Sequence, residues 1–425
     1  MKSVIGRRRV RGAAVLATAP LLVIISACSS GSSSTGGGKD GEIRMMVNLT
    51  DNLDQAYWKK LVKPFEDKTG LKVKIEGPSG KSVAESFPQQ LAAGTAPDVI
   101  QSIFPDDDTA PELVDLSGES WTKGTPMFEN YAMGKKHYAV GIGEQIQSLV
   151  FYNKDAFKKA KISKTPTTWD ELATDMDKLK KAGLTAMQTA GDFETGLQLQ
   201  QIYHPALNQA HPKWQTAVSD KKLKVGDAYK PMFQMYADWI KKGYIAKSDA
   251  GLDPSQADGN FIAGKAGMYV NGSWFAATLD QAKDLPFEVG VFSPPTDGKA
   301  YPGPQGATMA TPYMVRKGAS SESDAKKLVK YLVTDKAAIK GQLGADGVFR
   351  EDGTGAGKPT ATDTQVQDIL TKAPELVAVG EGMGNVRLPV TGFNPKFTEI
   401  AQSLYTGKSP ADAAKAIDQW VDENR

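Results

Sequence analysis

Apolar residues recur along this chain at two periods, and the alternation between them sets out a fold. Ile43 to Val47 is a short continuous apolar run of strand type. Tyr57, Trp58, Leu61, Val62 and Phe65 then share one face of a helix over 54–68, Gly70 stops it, and Leu71, Val73 and Ile75 alternate as a second strand. A helix over 83–93 leads to a strand over 98–103, so the opening reads as an alternating α/β pattern with a largely parallel sheet. Further on, 138–152 reads as extended chain with glycines at 141 and 143. A helix spans 168–182, with Thr168 as its N-cap and Gly183 as its stop. Segments 227–242, 254–263 and 272–282 read as helices, 266–270 and 287–291 as strands, and 322–334 and 396–420 as helical. The Pro- and Gly-rich stretch 293–306 is a long loop, of the kind that tends to carry function.

One apolar run belongs to none of this. Residues 1–12 carry Lys2, Arg7, Arg8, Arg9 and Arg11 with no acid, and an apolar stretch from Ala13 to Ile25 follows, the layout of a secretory leader and too short for a comfortable membrane span. The Ile-Ser-Ala-Cys ending at Cys28 resembles the cleavage and lipidation box of bacterial lipoproteins. The resemblance implies a signal peptide over 1–27 and acyl chains on Cys28, two or more of which anchor a protein stably. The Arg7–Arg9 run leaves twin-arginine and general export both open. Residues 28–40 are a flexible Ser/Gly linker, reaching on the order of 20 Å.

Composition narrows the function. Taking residues 1–27 away removes five basic residues and no acid, leaving 46 basic against 49 acidic residues, a net charge of −3. The basicity of the whole chain thus belongs to the leader, and no basic stripe with interleaved aromatics argues for nucleic acid. A single cysteine excludes a disulfide framework and a thiolate metal site. A chain this long exceeds what one core usually holds, so two domains are expected.

Four stretches in order, SFPQQLAAGTAPDV (86–99), SLVFYNKDAF (148–157) with TPTTWDEL (165–172), FIAGKAGMYVNGSW (261–274) and LYTGKSPADAA (404–414), resemble the extracellular solute-binding proteins of ABC importers, in the branch that binds sugars and oligosaccharides. The resemblance implies an α/β, two-lobed periplasmic-binding-protein-like fold with an interlobe cleft and hinge crossings. Residues 41–140 and 313–347 would form lobe one and 146–308 and 352–425 lobe two. The implied function is a monomeric, non-catalytic receptor on the extracellular or periplasmic face of the cell membrane. It would pass a carbohydrate to ABC permease subunits, with no cofactor, no metal and no nucleic acid.

Candidate ligand-binding residues follow. Trp274 stands where sugar binders of this kind often place an aromatic platform, since the C–H face of a pyranose covers a flat ring; core packing is its other reading. Glu144 resembles a hinge carboxylate that accepts hydroxyl protons, and Gly141 and Gly143 fit a hinge or a simple turn. Phe104 and Asp106 follow a strand end, a favoured ligand location in open sheets, with Asp107 and Asp108 facing water or capping the next turn. Asp51 and Asn52 share that logic. Asp192 and Phe193 approach from lobe two, and Phe393 and Phe397 fit either a second platform or a helix core. Trp58 and Trp169 read as core.

Other chemistries find little support. There is no G-x-S-x-G, no P-loop and no H-E-x-x-H, and no carboxylate pair stands out for a glycosidase. His204 and His211, with two nearby prolines, read as surface or turn residues rather than metal ligands. The alternatives kept are a non-sugar solute on the same scaffold and, less supported, a cell-surface glycosidase. Lys81 and Arg387 would serve an anionic solute, and several cleft carboxylates a cationic one.

Overall fold

The computed structural model describes residues 41–80, 82–192, 194–211, 214–282, 284–296, 307–310, 312–350, 360–372, 390 and 392–425. In chain order the elements are β1 (Glu42–Met46), α1 (Gln55–Thr69), β2 (Lys72–Glu76), α2 (Val83–Ala92), β3 (Val99–Gln101), β4 (Gly143–Ile146), β5 (Leu149–Asn153), α3 (Lys154–Lys159), α4 (Trp169–Lys181) and β6 (Thr185–Gln188). Then come α5 (Glu194–Ala210), α6 (Trp214–Ser219), α7 (Val225–Lys242), α8 (Pro254–Ile262), β7 (Ala266–Asn271), α9 (Trp274–Gln281), β8 (Val289–Phe292), β9 (Ala307–Ala310), β10 (Tyr313–Val315), α10 (Glu322–Thr334), α11 (Lys336–Ala345), α12 (Ala361–Lys372), α13 (Phe393–Ser403) and α14 (Pro410–Glu423).

Two separate sheets result, and the fold is α/β and two-lobed. The first has the order β10-β3-β1-β2, with β1 parallel to both β2 and β3 and β10 antiparallel at the edge. The second, β6-β7-β5-β8, is mixed: only β6 and β7 run together, while β5 is antiparallel to both its neighbours. A third, two-stranded ribbon pairs β4 with β9 and carries the chain between the two sheets.

Each sheet has its own core. On α1 the Asp54 side chain caps the first turn, and the face carrying Trp58, Leu61, Val62 and Phe65 is buried against α10, whose Leu328, Val329 and Leu332 join the same cluster. Each such side chain contributes about 1.5–3 kcal/mol on leaving water. Behind the second sheet, α13 packs on α5 and α14 on α7, around Trp214, Tyr229, Phe233 and Phe397. The helical stretch expected over 396–420 is therefore two helices, α13 and α14, with a break between.

Helix α5 corrects one reading. His204 is fully buried in it, its Nε2 bonded to the Tyr229 hydroxyl, whereas His211 is exposed just past its end. The helix runs through Pro205 and is buried nearly all round, so it shows no amphipathic period.

Candidate functional site

The crossing segments define the place. In β4, Glu144 pairs with Met309 of β9, and its N–H and C=O also exchange bonds with Phe349 at 2.7 and 2.9 Å, so three passages of the chain meet at one residue. Gln145 Nε2 donates to the Asp346 carbonyl and Gln147 Nε2 to Thr308 Oγ1, both at 2.7 Å. The two glycines are there because the passages touch. A Cβ on Gly141 would lie 2.6 Å from the Ala310 carbonyl, and one on Gly143 would lie 2.5 Å from that of Phe349. The Glu144 side chain is buried among them, with 8 % exposure.

Trp274 opens α9 immediately beside this junction. Its six-membered ring occupies the space over Gly272, where a Cβ would stand 2.0 Å from Cζ3. Unlike the buried residues on either side it stays partly exposed, packed against the cluster of Phe261, Tyr269 and Phe275. Ser273 ties it to the crossings: its hydroxyl accepts from the Ile146 N–H at 3.2 Å and donates to the Gly347 carbonyl at 2.7 Å, and its own N–H donates to the Ile146 carbonyl at 2.8 Å. One turn further along α9, Thr278 Oγ1 accepts from Asn52 Nδ2 at 2.9 Å, a direct bond from the loop after β1 to the second lobe.

Of the other sequence candidates, Asp51 is exposed next to Asn52, and its charge acts on Asp258 of α8. Phe104, partly buried, stacks on Tyr131 with ring centres 4.3 Å apart, and the Tyr131 hydroxyl accepts from the N–H of Met309, opposite Glu144. Asp106 turns inward on its own loop: its carboxylate accepts from the Thr109 N–H at 2.8 Å and hydroxyl at 2.6 Å. Asp106 thus caps this turn itself, while Asp107 and Asp108 are exposed. Asp192 sits at φ 51 on an exposed turn, and its carbonyl accepts from Gln402 Nε2 at 2.7 Å.

Phe393 is corrected. It is 3 % exposed at the start of α13, 5.6 Å from the Phe397 ring, inside the core behind the second sheet. A ring so enclosed has no face to offer a ligand. Phe193, Cys28, Lys81, Arg387 and most of the 293–306 loop lie outside the described residues.

Three acids missed in the sequence belong to this region. Asp258 accepts from the Tyr269 hydroxyl at 2.9 Å, and burial pushes its pKa up to about 6. Glu194, at the first turn of α5, is pushed up to about 8 by burial and by the charge of Asp258. Asp346, in the third passage, is pushed up to about 7 by burial against the opposing bond from Gln145. Nothing local in the sequence marks them, because the partners lie far apart along the chain. A separate cavity of about 240 Å³ on the first lobe, bordered by Leu113, Lys136, Tyr138 and Glu322, includes none of the sequence candidates.

The model of the family described as bacterial extracellular solute-binding protein matches residues 50–339. The chain belongs to that family. Among its relatives, the diacetylchitobiose-binding protein DasA of Streptomyces coelicolor is 25% identical over 440 residues, covering 95% of this chain and 96% of that one. A chitin oligosaccharide binding protein superposes with a TM-score of 0.76 at 20% identity, over 90% of this solute-binding protein and 98% of its own chain. A sugar transporter of Bacillus licheniformis, solved with stachyose, superposes with a TM-score of 0.74 at 16% identity, over 90% of this chain and 100% of its own. At such identities these structures speak for the two-domain fold.

Proposed function

We propose that this solute-binding protein captures a sugar or oligosaccharide between its two lobes and delivers it, unaltered, to the permease of an ABC importer. The observation that carries the reading is Trp274: a partly exposed indole next to the chain crossings, one turn from the bond that joins Asn52 to Thr278. The relatives named for chitin fragments and the neighbour solved with stachyose support a carbohydrate.

A sugar ring on the indole would bury its C–H face and leave its hydroxyls for polar groups at the rim, with Glu144, Asp51 and Asn52 as acceptors. Phe104, Asp106 and Asp192 would add contacts from loops. The lobes, 41–140 with 313–347 and 146–308 with 352–425, would open and close through the crossings. A ligand that touches both lobes binds the closed state better and shifts the population toward it. Acyl chains on Cys28 would hold the protein on the outer face of the membrane, beyond the linker 28–40. Among the described residues, no helix is long and apolar enough to cross a membrane.

A panel of oligosaccharides tests this by thermal shift followed by calorimetry. A bound sugar raises the melting temperature with concentration, and Trp274→Ala weakens it by roughly 1–3 kcal/mol, judged from the aromatic area lost. A panel that moves nothing, or affinity untouched by the substitution, contradicts the reading.

A further inference from the structure

The loop after β1 is held by its own neighbours. Trp58 Nε1 donates to the Asn48 carbonyl at 3.3 Å, and the Leu53 N–H donates to Thr50 Oγ1 at 3.1 Å. Leu53 is itself buried in the core of the first sheet, and Asp54 caps α1. Asn52 lies between these anchors, so the backbone that carries its amide has little freedom. Facing it, α9 is buried at Phe275, Ala276, Ala277 and Leu279 but only partly so at Trp274 and Thr278. Those two positions are four residues apart, which sets them on one face of the helix, about 6 Å from each other along its axis.

The 2.9 Å bond from Asn52 to Thr278 therefore stands on the same face of α9 as the indole, one turn further on. Two side chains from opposite lobes in hydrogen-bond contact leave no width for a sugar ring between them. That face is thus exposed at Trp274 and bridged at Thr278.

We propose that the Asn52–Thr278 bridge is an end wall of the sugar site and a determinant of its specificity: an oligosaccharide is taken by one end, with its terminal ring on Trp274 and the rest of the chain leading away from Thr278. The proposal rests on the carbohydrate reading and narrows it from sugars in general to chain ends. A platform without such a wall accepts an interior ring and gains contacts from the rings on both sides of it. Here a ring added on the Thr278 side has to break the bridge and part the lobes at that point, against the closure that favours binding. An amide suits the role, because Nδ2 is committed to Thr278 while Oδ1 serves as an acceptor for a hydroxyl of the terminal ring.

Calorimetry with three related sugars tests this: the β-1,4-linked N-acetylglucosamine trimer, the same trimer extended by galactose at its non-reducing end, and the trimer carrying a 4-methylumbelliferyl group at its reducing end. Where the trimer does not bind, the sugar selected by a broad thermal-shift panel carries the same two kinds of extension. The quantity read is the affinity of each extended sugar relative to the unextended one. At least one extension is expected to cost on the order of 10-fold or more, as overfilling a packed site does. Thr278→Ala and Asn52→Gly, singly and together, should recover that loss for one extension, and either variant alone suffices if the other does not fold. A bridge that only steadied the closed state would weaken extended and unextended sugars alike and leave the ratio where it was. Both extensions tolerated by the parent protein, or a ratio that no variant moves, overturns the end wall and leaves the carbohydrate reading standing. No binding across the broad panel removes both.

Discussion

Trp274 owes its position to the two residues before it. Gly272 leaves room for the ring, and Ser273 bonds to the first and third crossings with its hydroxyl and main chain together. The residue before the indole is thereby tied to two of the crossings. Ser273→Ala leaves the Gly347 carbonyl without its hydroxyl donor inside the junction, so urea denaturation should report a loss of about 1–3 kcal/mol. Sugar affinity should fall as well, and Ser273→Thr should restore part of it; lost stability with affinity unchanged would mean that Ser273 only packs. At this scale the sequence was a partial guide. It pointed to Trp274, because an aromatic residue next to a glycine in a family-like stretch is visible, and it left Phe393 open between platform and core. A lone aromatic position carries no sign of which side of its helix meets solvent. Glu194 and Asp258 were invisible, since their proximity arises only when α5 and α8 are set against β7.

Among the elements, α1 and α5 mark the two extremes. The first shows five apolar residues at helical spacing between Asp54 and Gly70, and it forms within a residue or two of the expected span. The second is buried on nearly all sides, carries Gly196, Pro205 and several Gln residues, and offers no period to read. Its burial has a consequence for acid stability. Desolvation pushes the pKa of His204 down to about 3, so the folded protein keeps it neutral while the unfolded chain protonates near 6.5. The unfolded state therefore binds the extra proton, and stability contributed by neutral His204 is lost as pH falls from about 6.5 toward 3. Denaturation measured at pH 7 and pH 4.5 should show a smaller acid-induced loss in His204→Gln than in the parent, by on the order of 2 kcal/mol. Identical losses in the two proteins would contradict the burial of the neutral ring.

For the molecule as a whole, the arrangement that matters is two sheets with separate cores, joined by passages that hydrogen-bond to one another at Glu144, Gln145 and Gln147. The alternating pattern at the start of the chain disclosed the first sheet, because its three parallel strands are local in sequence. The second sheet and the junction were less legible: β5 pairs with β7 and β8, and β4 with β9, across well over a hundred residues. Such pairings leave no local imprint beyond short apolar runs and the glycines where passages touch. The central claim is that these two bodies grip one sugar between them. A crystal structure with the oligosaccharide that stabilises the protein most tests it directly. The account predicts density for a ring stacked on Trp274, with polar contacts to Asn52 or Asp51 from the first lobe. Density confined to the first-lobe cavity beside Leu113 and Tyr138, or to one lobe's outer surface, would contradict it.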